Sequence, residues 1–162
     1  NYTLLPTGPR IDAYLRKENP EKLTTEQFAE LCSQNRRDAE PRIKEILSNG
    51  NIVIAEDWTE TGIVWAIATG VPENRARGMN KGFLAEDIAI LIDGKPFAEG
   101  KEVGHTHEEN SRLLLNVRNQ YLRMAEEHKE WNLVTANQPV ETVQRDIWNI
   151  VSTELKEIGF FD

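Results

Sequence analysis

The chain has little of what several common classes of protein need. Among its 162 residues there is one cysteine, Cys32, so no internal disulfide can form and a reducing compartment, the cytoplasm, is expected. Lys and Arg number 19 against 27 Asp and Glu, and the resulting net charge of −8 argues against a general nucleic-acid binder. No stretch approaches the ~20 apolar residues that a bilayer span requires, so no membrane partner is expected.

The chain also lacks the short motifs that identify many enzymes. It contains no G-x-x-x-x-G-K-[ST] phosphate loop, no G-x-G-x-x-G and no G-x-S-x-G. The HTHEE run at residues 105–109 resembles a metal cluster. Without H-E-x-x-H or a further distant ligand, a loop leading into a helix is the better interpretation. Cys32 lies in an apolar helical stripe, which favours a core residue over a nucleophile.

What the chain does contain is an alternation of apolar runs with amphipathic segments. The longest helix is predicted to begin at Thr24 or Thr25, which both offer an N-cap, and to end at Gly50; Thr24 and Gln27 fit a capping box at its start. Further helices are predicted at Ile11–Arg16, Trp58–Thr69, Arg77–Leu84, Glu108–Glu127 and Val140–Ile158. Asn1–Leu5 reads as a short strand, and three apolar runs read as buried parallel strands: Asn51–Ala55, Asp87–Ile92 and Trp131–Ala136.

This order predicts an α/β fold, a three-layer sandwich with a mainly parallel sheet, as a single domain over residues 1–162. In such sheets ligands bind beyond the carboxyl ends of the strands. Four segments lie at those positions: Pro6–Gly8, Glu56–Asp57, Asp93–Lys95 and Ala136–Asn137.

Two carboxylates, Glu56 and Asp57, directly follow a predicted strand. In that place they can hold Mg²⁺ through water or accept a proton. Acidic residues also suit a helix start, because they complement the helix dipole, and position alone does not separate the two interpretations.

Two further groups are candidates for ligand binding. Thr61, Gly62 and Trp65 share one face of a predicted helix with Trp58, and this face suits a cleft for a flat ring, although ordinary core packing is favoured. Asn35 lies on the apolar stripe of the longest helix, so Arg36 beside it is predicted to point near buried surface, where a charge needs an acceptor. That acceptor is either a ligand or a neighbouring acid.

Taken in order, these segments resemble the thymidylate kinase family. LCSQNRR (31–37) resembles the family's A-N-R helix, IVIAEDW (52–58) its D-R-Y strand, and Thr61-Gly62 its Ser/Thr-Gly pair. EDIAILI (86–92) resembles its P-D-L strand, residues 100–121 its lid and following helix, and VTANQPVETVQRDI (134–147) its C-terminal segment. Each motif is loose, but the ordered series covers nearly the whole chain.

The resemblance implies the nucleoside monophosphate kinase fold of the P-loop class and transfer of a phosphoryl group from ATP-Mg²⁺ to dTMP, giving dTDP. It implies a cytoplasmic homodimer whose lid, residues 93–107, closes over ATP. Glu56, Asp57 and Lys101 would serve catalysis, with Glu56 approaching the metal. The acceptor nucleotide would meet Pro6, Thr7, Gly8, Arg36, Thr61, Gly62 and Trp65, and Ala136 and Asn137 would lie near adenine.

The chain departs from the family pattern at several positions. Asp57 stands where D-R-Y has arginine, Cys32 stands where an aromatic usually stacks on thymine, and the lid has Lys101 with His105 and His107 in place of arginines. These differences indicate a divergent branch. We expect the natural protein to have an N-terminal segment that supplies the phosphate loop and the central strand. Two alternatives remain: another nucleoside or nucleotide kinase of this class, and an inactive nucleotide-binding or dimerisation module.

Overall fold

The computed structural model describes residues 6–16, 19–94 and 110–160. The predicted strand at Asn1–Leu5 lies outside these ranges. So do Lys101, the HTHEE run and all of the predicted lid except its first two residues. The described chain divides into two compact units, of which the first comprises residues 1–85 and 101–120 and the second residues 86–100 and 121–162.

The first unit is helical in its described part. Its helices are α1 (Gly8–Leu15), α2 (Thr25–Ser48), α3 (Thr59–Ala68), α4 (Glu73–Met79) and the first part of α5 (Ser111–Glu127). Helix α2 packs against α1, α3 and α4, and α3 also packs against α4. The buried apolar side chains of this unit are Ile11, Leu31, Ile63, Val64, Ala66, Val71, Ala76 and Val117.

Local sequence explains where these helices begin. Thr24 accepts a hydrogen bond from the backbone of Gln27, and the Gln27 side chain returns one to the backbone of Thr24, so the predicted capping box is confirmed. Pro9 lies in the first turn of α1, where its missing N–H costs no hydrogen bond. Pro72 directly precedes α4. That helix was predicted at Arg77–Leu84, and the structure places it about four residues earlier, since the proline starts it.

The second unit contains strands β1 (Ile90–Asp93) and β2 (Asn132–Thr135), the end of α5, and α6 (Val140–Glu157). The strands are parallel, with Ile92 opposite Val134, and α6 packs against β2. Parallel pairing of these two predicted strands is therefore confirmed, and the molecule is a mixed α/β protein. Burial on both faces is not confirmed: Val134 is buried, but Ile92 and Leu133 are exposed.

The prediction for Asn51–Ala55 is wrong in the described structure. These residues form no strand, Ile52 is exposed, and Ile54 is 94% exposed. A strand buried on both faces needs hydrogen-bonded neighbours at its edges. Among the described residues of the first unit there is no other strand that could supply them.

No helix within the described ranges is both long and apolar enough to cross a membrane.

Candidate functional site

Arg36 is a cation of the first unit that lies near several of the predicted site residues. It lies in the middle of α2 and is half-buried. Its Nη2 donates a hydrogen bond of 2.8 Å to Oδ1 of Asn80, the residue that ends α4. The guanidinium is thus held against the protein rather than extended into solvent, as the sequence predicted.

Gly62 of α3 gives Arg36 the space for this position. A Cβ atom added to Gly62 would overlap Nη2 and Cζ of Arg36 and would lie 3.0 Å from Oδ1 of Asn80. The guanidinium therefore crosses α3 at Gly62, the one residue of this helix that has no side chain. Thr61 and Trp65, both half-buried, lie on the same helix one residue before and three residues after Gly62.

The Pro6-Thr7-Gly8 segment is joined to the same turn of α2. Asn35 is buried, and its Nδ2 donates to Oγ1 of Thr7 over 2.7 Å. The carbonyl of Thr7 also accepts hydrogen bonds from the first turn of α1, so both ends of this contact are fixed. One hydrogen bond thus ties the predicted acceptor-side loop to the residue that precedes Arg36.

Glu56 and Asp57 occupy an exposed bend just before α3. Asp57 has φ of 60°, in the left-handed region that glycine favours and that asparagine and aspartate adopt more often than other residues. Its Oδ1 accepts a hydrogen bond of 3.2 Å from Oγ1 of Thr61, which turns this carboxylate toward α3. A non-glycine residue held in this conformation costs roughly 1–3 kcal/mol and is more frequent at functional sites.

The segment after α4 holds this bend in place. Trp58 Nε1 donates to the Leu84 carbonyl over 2.9 Å, and the Trp58 ring meets Phe83 edge-on. The Leu84 N–H is in turn bound by a carboxylate oxygen of Glu40, and the Arg37 guanidinium lies 4.8 Å from the centre of the Phe83 ring. Helices α2 and α3 are thus joined through residues 83 and 84 at the level of the candidate site.

Cys32 lies one turn before Arg36 on α2. Burial raises the pKa of its thiol to about 11, although the positive charge of Arg36 acts in the opposite direction. The thiol is therefore protonated at neutral pH and is a poor nucleophile. The pKa of Tyr14 is also raised, first by burial and then by the nearby Cys32. The Tyr14 ring stacks on Phe28, with the two ring centres 3.8 Å apart.

In the second unit, the carboxyl ends of β1 and β2 approach each other closely. A Cβ atom on Gly94 would lie 2.7 Å from Cβ of Ala136, and the Ala136 N–H donates to the Asp93 carbonyl over 2.7 Å. Asn137 follows, with its side chain exposed and its N–H donating to Oγ1 of Thr135. These are the residues that the sequence analysis assigned to the strand ends.

The structure places several of the residues predicted for the acceptor side near one another within one unit. Arg36 lies against Gly62, Thr7 is hydrogen-bonded to Asn35, the neighbour of Arg36, and Asp57 is linked to Thr61. Asn80 was missed, because a single asparagine after a short helix carries no sequence signal. Within the described ranges, no group of three or more His, Cys, Asp or Glu side chains could hold a metal ion by itself.

The comparisons with known proteins identify the family of the chain. The family model described as thymidylate kinase matches residues 4–147, which is most of the chain. This protein belongs to the thymidylate kinase family.

Curated relatives carry the same family name at low sequence identity. The chain is 28% identical over 108 residues to a Sulfolobus acidocaldarius protein named "Probable thymidylate kinase", covering 64% of this chain and 56% of the relative. It is 22% identical over 155 residues to the thymidylate kinase of Dictyostelium discoideum, covering 94% and 68%. It is 23% identical over 150 residues to that of Arabidopsis thaliana, covering 93% and 56%. The matched regions thus span roughly half to two thirds of these relatives.

Proposed function

We propose that the natural protein carrying this chain is a nucleoside monophosphate kinase that transfers a phosphoryl group from ATP to dTMP, giving dTDP. Family membership supports the reaction class. The observation in this chain that carries the proposal furthest is the position of Arg36, half-buried across Gly62 and hydrogen-bonded to Asn80. Phosphoryl transfer depends mainly on positioning and on offsetting charge, so a fixed cation suits the acceptor site.

The proposed acceptor site is made of residues that the first unit joins or carries on neighbouring turns. Arg36 would contact the acceptor nucleotide, because the guanidinium fork offers several directed N–H donors. Gly62 leaves room for the guanidinium, Thr61 and Trp65 would wall the base, and the Pro6-Thr7-Gly8 loop would line the acceptor side. The Asn35–Thr7 hydrogen bond supports this by keeping the loop beside α2.

Glu56 fits the role of a magnesium ligand acting through water. It is an exposed carboxylate, and Mg²⁺ prefers oxygen ligands, keeps several waters and takes one or two protein carboxylates together with substrate phosphates. When bound, the metal would offset charge on the phosphoryl oxygens. The protein's part is to hold the Glu56 carboxylate at the bend, which the Trp58–Leu84 hydrogen bond supports.

Three other assignments are proposed on the family resemblance. Asp57, already bound by Thr61, would hold a cation or accept a sugar hydroxyl, since a carboxylate repels phosphate. Ala136 and Asn137 would lie near adenine, and Lys101, outside the described residues, would act from the lid. We also propose the family's three-layer sandwich, a homodimer and a cytoplasmic location, with no nucleic-acid or membrane partner.

The test compares Arg36→Ala with Arg37→Ala in the complete natural protein. Both variants remove one cation from α2, but Arg37 is exposed and its contacts are the Met79 carbonyl and the Phe83 ring. Loss of a hydrogen bond from a charged group costs about 1.5–3 kcal/mol, so Arg36→Ala is expected to raise the KM for dTMP by about 10- to 100-fold while the KM for ATP stays near its original value. An unchanged KM for dTMP in Arg36→Ala, or equal effects in both variants, would contradict the assignment.

A different acceptor nucleotide is the second candidate. Cys32 supports it, because a thiol cannot stack on a base as the family's aromatic residue would. A panel of nucleoside monophosphates separates the two possibilities.

A further inference from the structure

We infer that Asn80 is a positioning residue that fixes the orientation of the Arg36 guanidinium in the acceptor site. The inference rests on the proposed function and deepens it, because it names the group that sets the direction of the proposed binding cation. No motif marks Asn80. Three features of the structure support its role: its backbone is held at the end of α4, its amide has one favourable orientation, and the guanidinium has little room.

The backbone of Asn80 is fixed at the end of α4. Its N–H donates to the carbonyl of Arg77, completing the last turn. The preceding carbonyl, that of Met79, accepts hydrogen bonds from Oγ of Ser33 at 2.5 Å and from Nη2 of Arg37 at 3.2 Å. Two side chains of α2 therefore hold the C-terminal end of α4 on either side of Arg36.

The side-chain amide of Asn80 has one orientation that satisfies both of its neighbours. Its Nδ2 donates to the Ala76 carbonyl over 2.8 Å, and its Oδ1 accepts from Arg36 Nη2, also over 2.8 Å. Rotating the amide by half a turn would place an NH₂ group against the guanidinium and an oxygen against a carbonyl, so both contacts would become repulsive. Because Asn80 is only 8% exposed, water cannot readily replace either bond. The acceptor oxygen thus points at Arg36.

Gly62 closes the other side of the guanidinium. The position of a missing Cβ there is already filled by Nη2 and Cζ of Arg36. The head group therefore lies between the surface of α3 and the Asn80 oxygen. A long, flexible side chain is confined in this way to one direction, and little rotamer entropy is left to lose when a ligand binds.

Two substitutions of Asn80 separate positioning from a merely structural role. Asn80→Leu keeps the size but removes both hydrogen bonds. Asn80→Gln keeps a neutral amide oxygen that can accept from Arg36, while its extra methylene group disturbs the packing at the end of α4 and lowers stability. Positioning predicts that Asn80→Leu raises the KM for dTMP about tenfold or more, with kcat changed less than about threefold, whereas Asn80→Gln stays within about threefold of the original KM. A structural role predicts instead that KM rises in both variants with their loss of stability.

The matched control is Thr24→Ala, which removes the N-terminal cap of α2 and leaves Arg36, Asn80 and the contacts that hold the end of α4 intact. It is expected to lower the melting temperature and to leave the KM for dTMP unchanged. In an Arg36→Lys background, Asn80→Leu should add little, since the fork it orients is gone, and the two effects should be clearly non-additive.

The outcomes distinguish this inference from the proposed function. If Arg36→Ala leaves the KM for dTMP unchanged, the acceptor assignment itself fails. If Arg36→Ala raises that KM but folded Asn80→Leu does not, only the positioning inference fails. It also fails if Asn80→Gln raises KM as strongly as Asn80→Leu, or if Thr24→Ala does. Should Asn80→Leu not fold, Asn80→Ala takes its place, because it also removes the acceptor for Arg36 and adds no bulk; an unchanged KM for dTMP in folded Asn80→Ala would overturn the inference.

Discussion

Replacing Gly62 with alanine is expected to disturb ligand binding more than it disturbs the fold. The new methyl group would overlap Nη2 and Cζ of Arg36, which is the far end of a flexible side chain, so the arginine can move aside without displacing backbone. The movement breaks the hydrogen bond from Arg36 to Asn80, and a hydrogen bond from a charged donor contributes about 1.5–3 kcal/mol. In the opposite direction, alanine in a helix interior is about 1 kcal/mol more stabilising than glycine.

The difference is a loss of about 0.5–2 kcal/mol in the free energy of unfolding. For a chain of this length that corresponds to a fall of about 1–8 °C in the melting temperature. Displacement of the guanidinium should also raise the KM for dTMP by about tenfold or more, because the cation no longer has the orientation in which it would contact the nucleotide. Thermal unfolding and steady-state kinetics on the same preparation measure the two effects.

Gly78→Ala is the matched control. Gly78 also lies inside a helix, α4, but a Cβ atom there meets no atom within 4 Å. Its substitution should leave KM unchanged and raise stability by up to about 1 kcal/mol. If Gly62→Ala behaves like Gly78→Ala in both assays, the arrangement of Arg36, Gly62 and Asn80 described above is wrong.

Two other predictions concern groups near the same site. Burial raises the pKa of Cys32 from 9.0 to about 11, so the thiol of the unfolded chain ionises first as pH rises, and stability should fall between about pH 9 and pH 11. Alkylation of Cys32 at pH 8 should therefore be much slower in the native protein than in the urea-unfolded protein. Equal rates would refute the burial argument. Glu56→Gln should lower kcat more than it changes the KM for dTMP, since this carboxylate is assigned to the metal and not to the acceptor. A raised KM with an unchanged kcat, measured at saturating Mg²⁺, would show instead that Glu56 contacts the acceptor.

Local sequence signals predicted the helices well. The capping box at Thr24 and the apolar period of α2 lie within one segment, so the sequence restricted the start of this helix to two candidate caps, and the structure selects Thr24. Helix α4 begins about four residues before its predicted start, because Pro72 starts the helix ahead of the weak helical pattern of residues 73–76. Helix α6 was predicted within one residue at its end.

Features that depend on distant partners were harder to predict. The run at residues 51–55 has the composition of a buried strand, but composition cannot supply the neighbouring strands that burial requires. The direction of Arg36 was predicted from its neighbour Asn35, which lies on the apolar stripe of α2. Its partner Asn80, 44 residues further along the chain, could not be found without the packing of α2 against α4.

The most direct test of the proposed function is a nucleoside monophosphate panel assayed with ATP and Mg²⁺ on the complete natural protein. The panel contains dTMP, dUMP, dCMP, dAMP and dGMP, with formation of each diphosphate followed at several acceptor concentrations. We expect dTMP to give the highest kcat/KM and Arg36→Ala to lower that value. Transfer to none of the five nucleotides, or a higher kcat/KM for a nucleotide other than dTMP, would contradict the proposal.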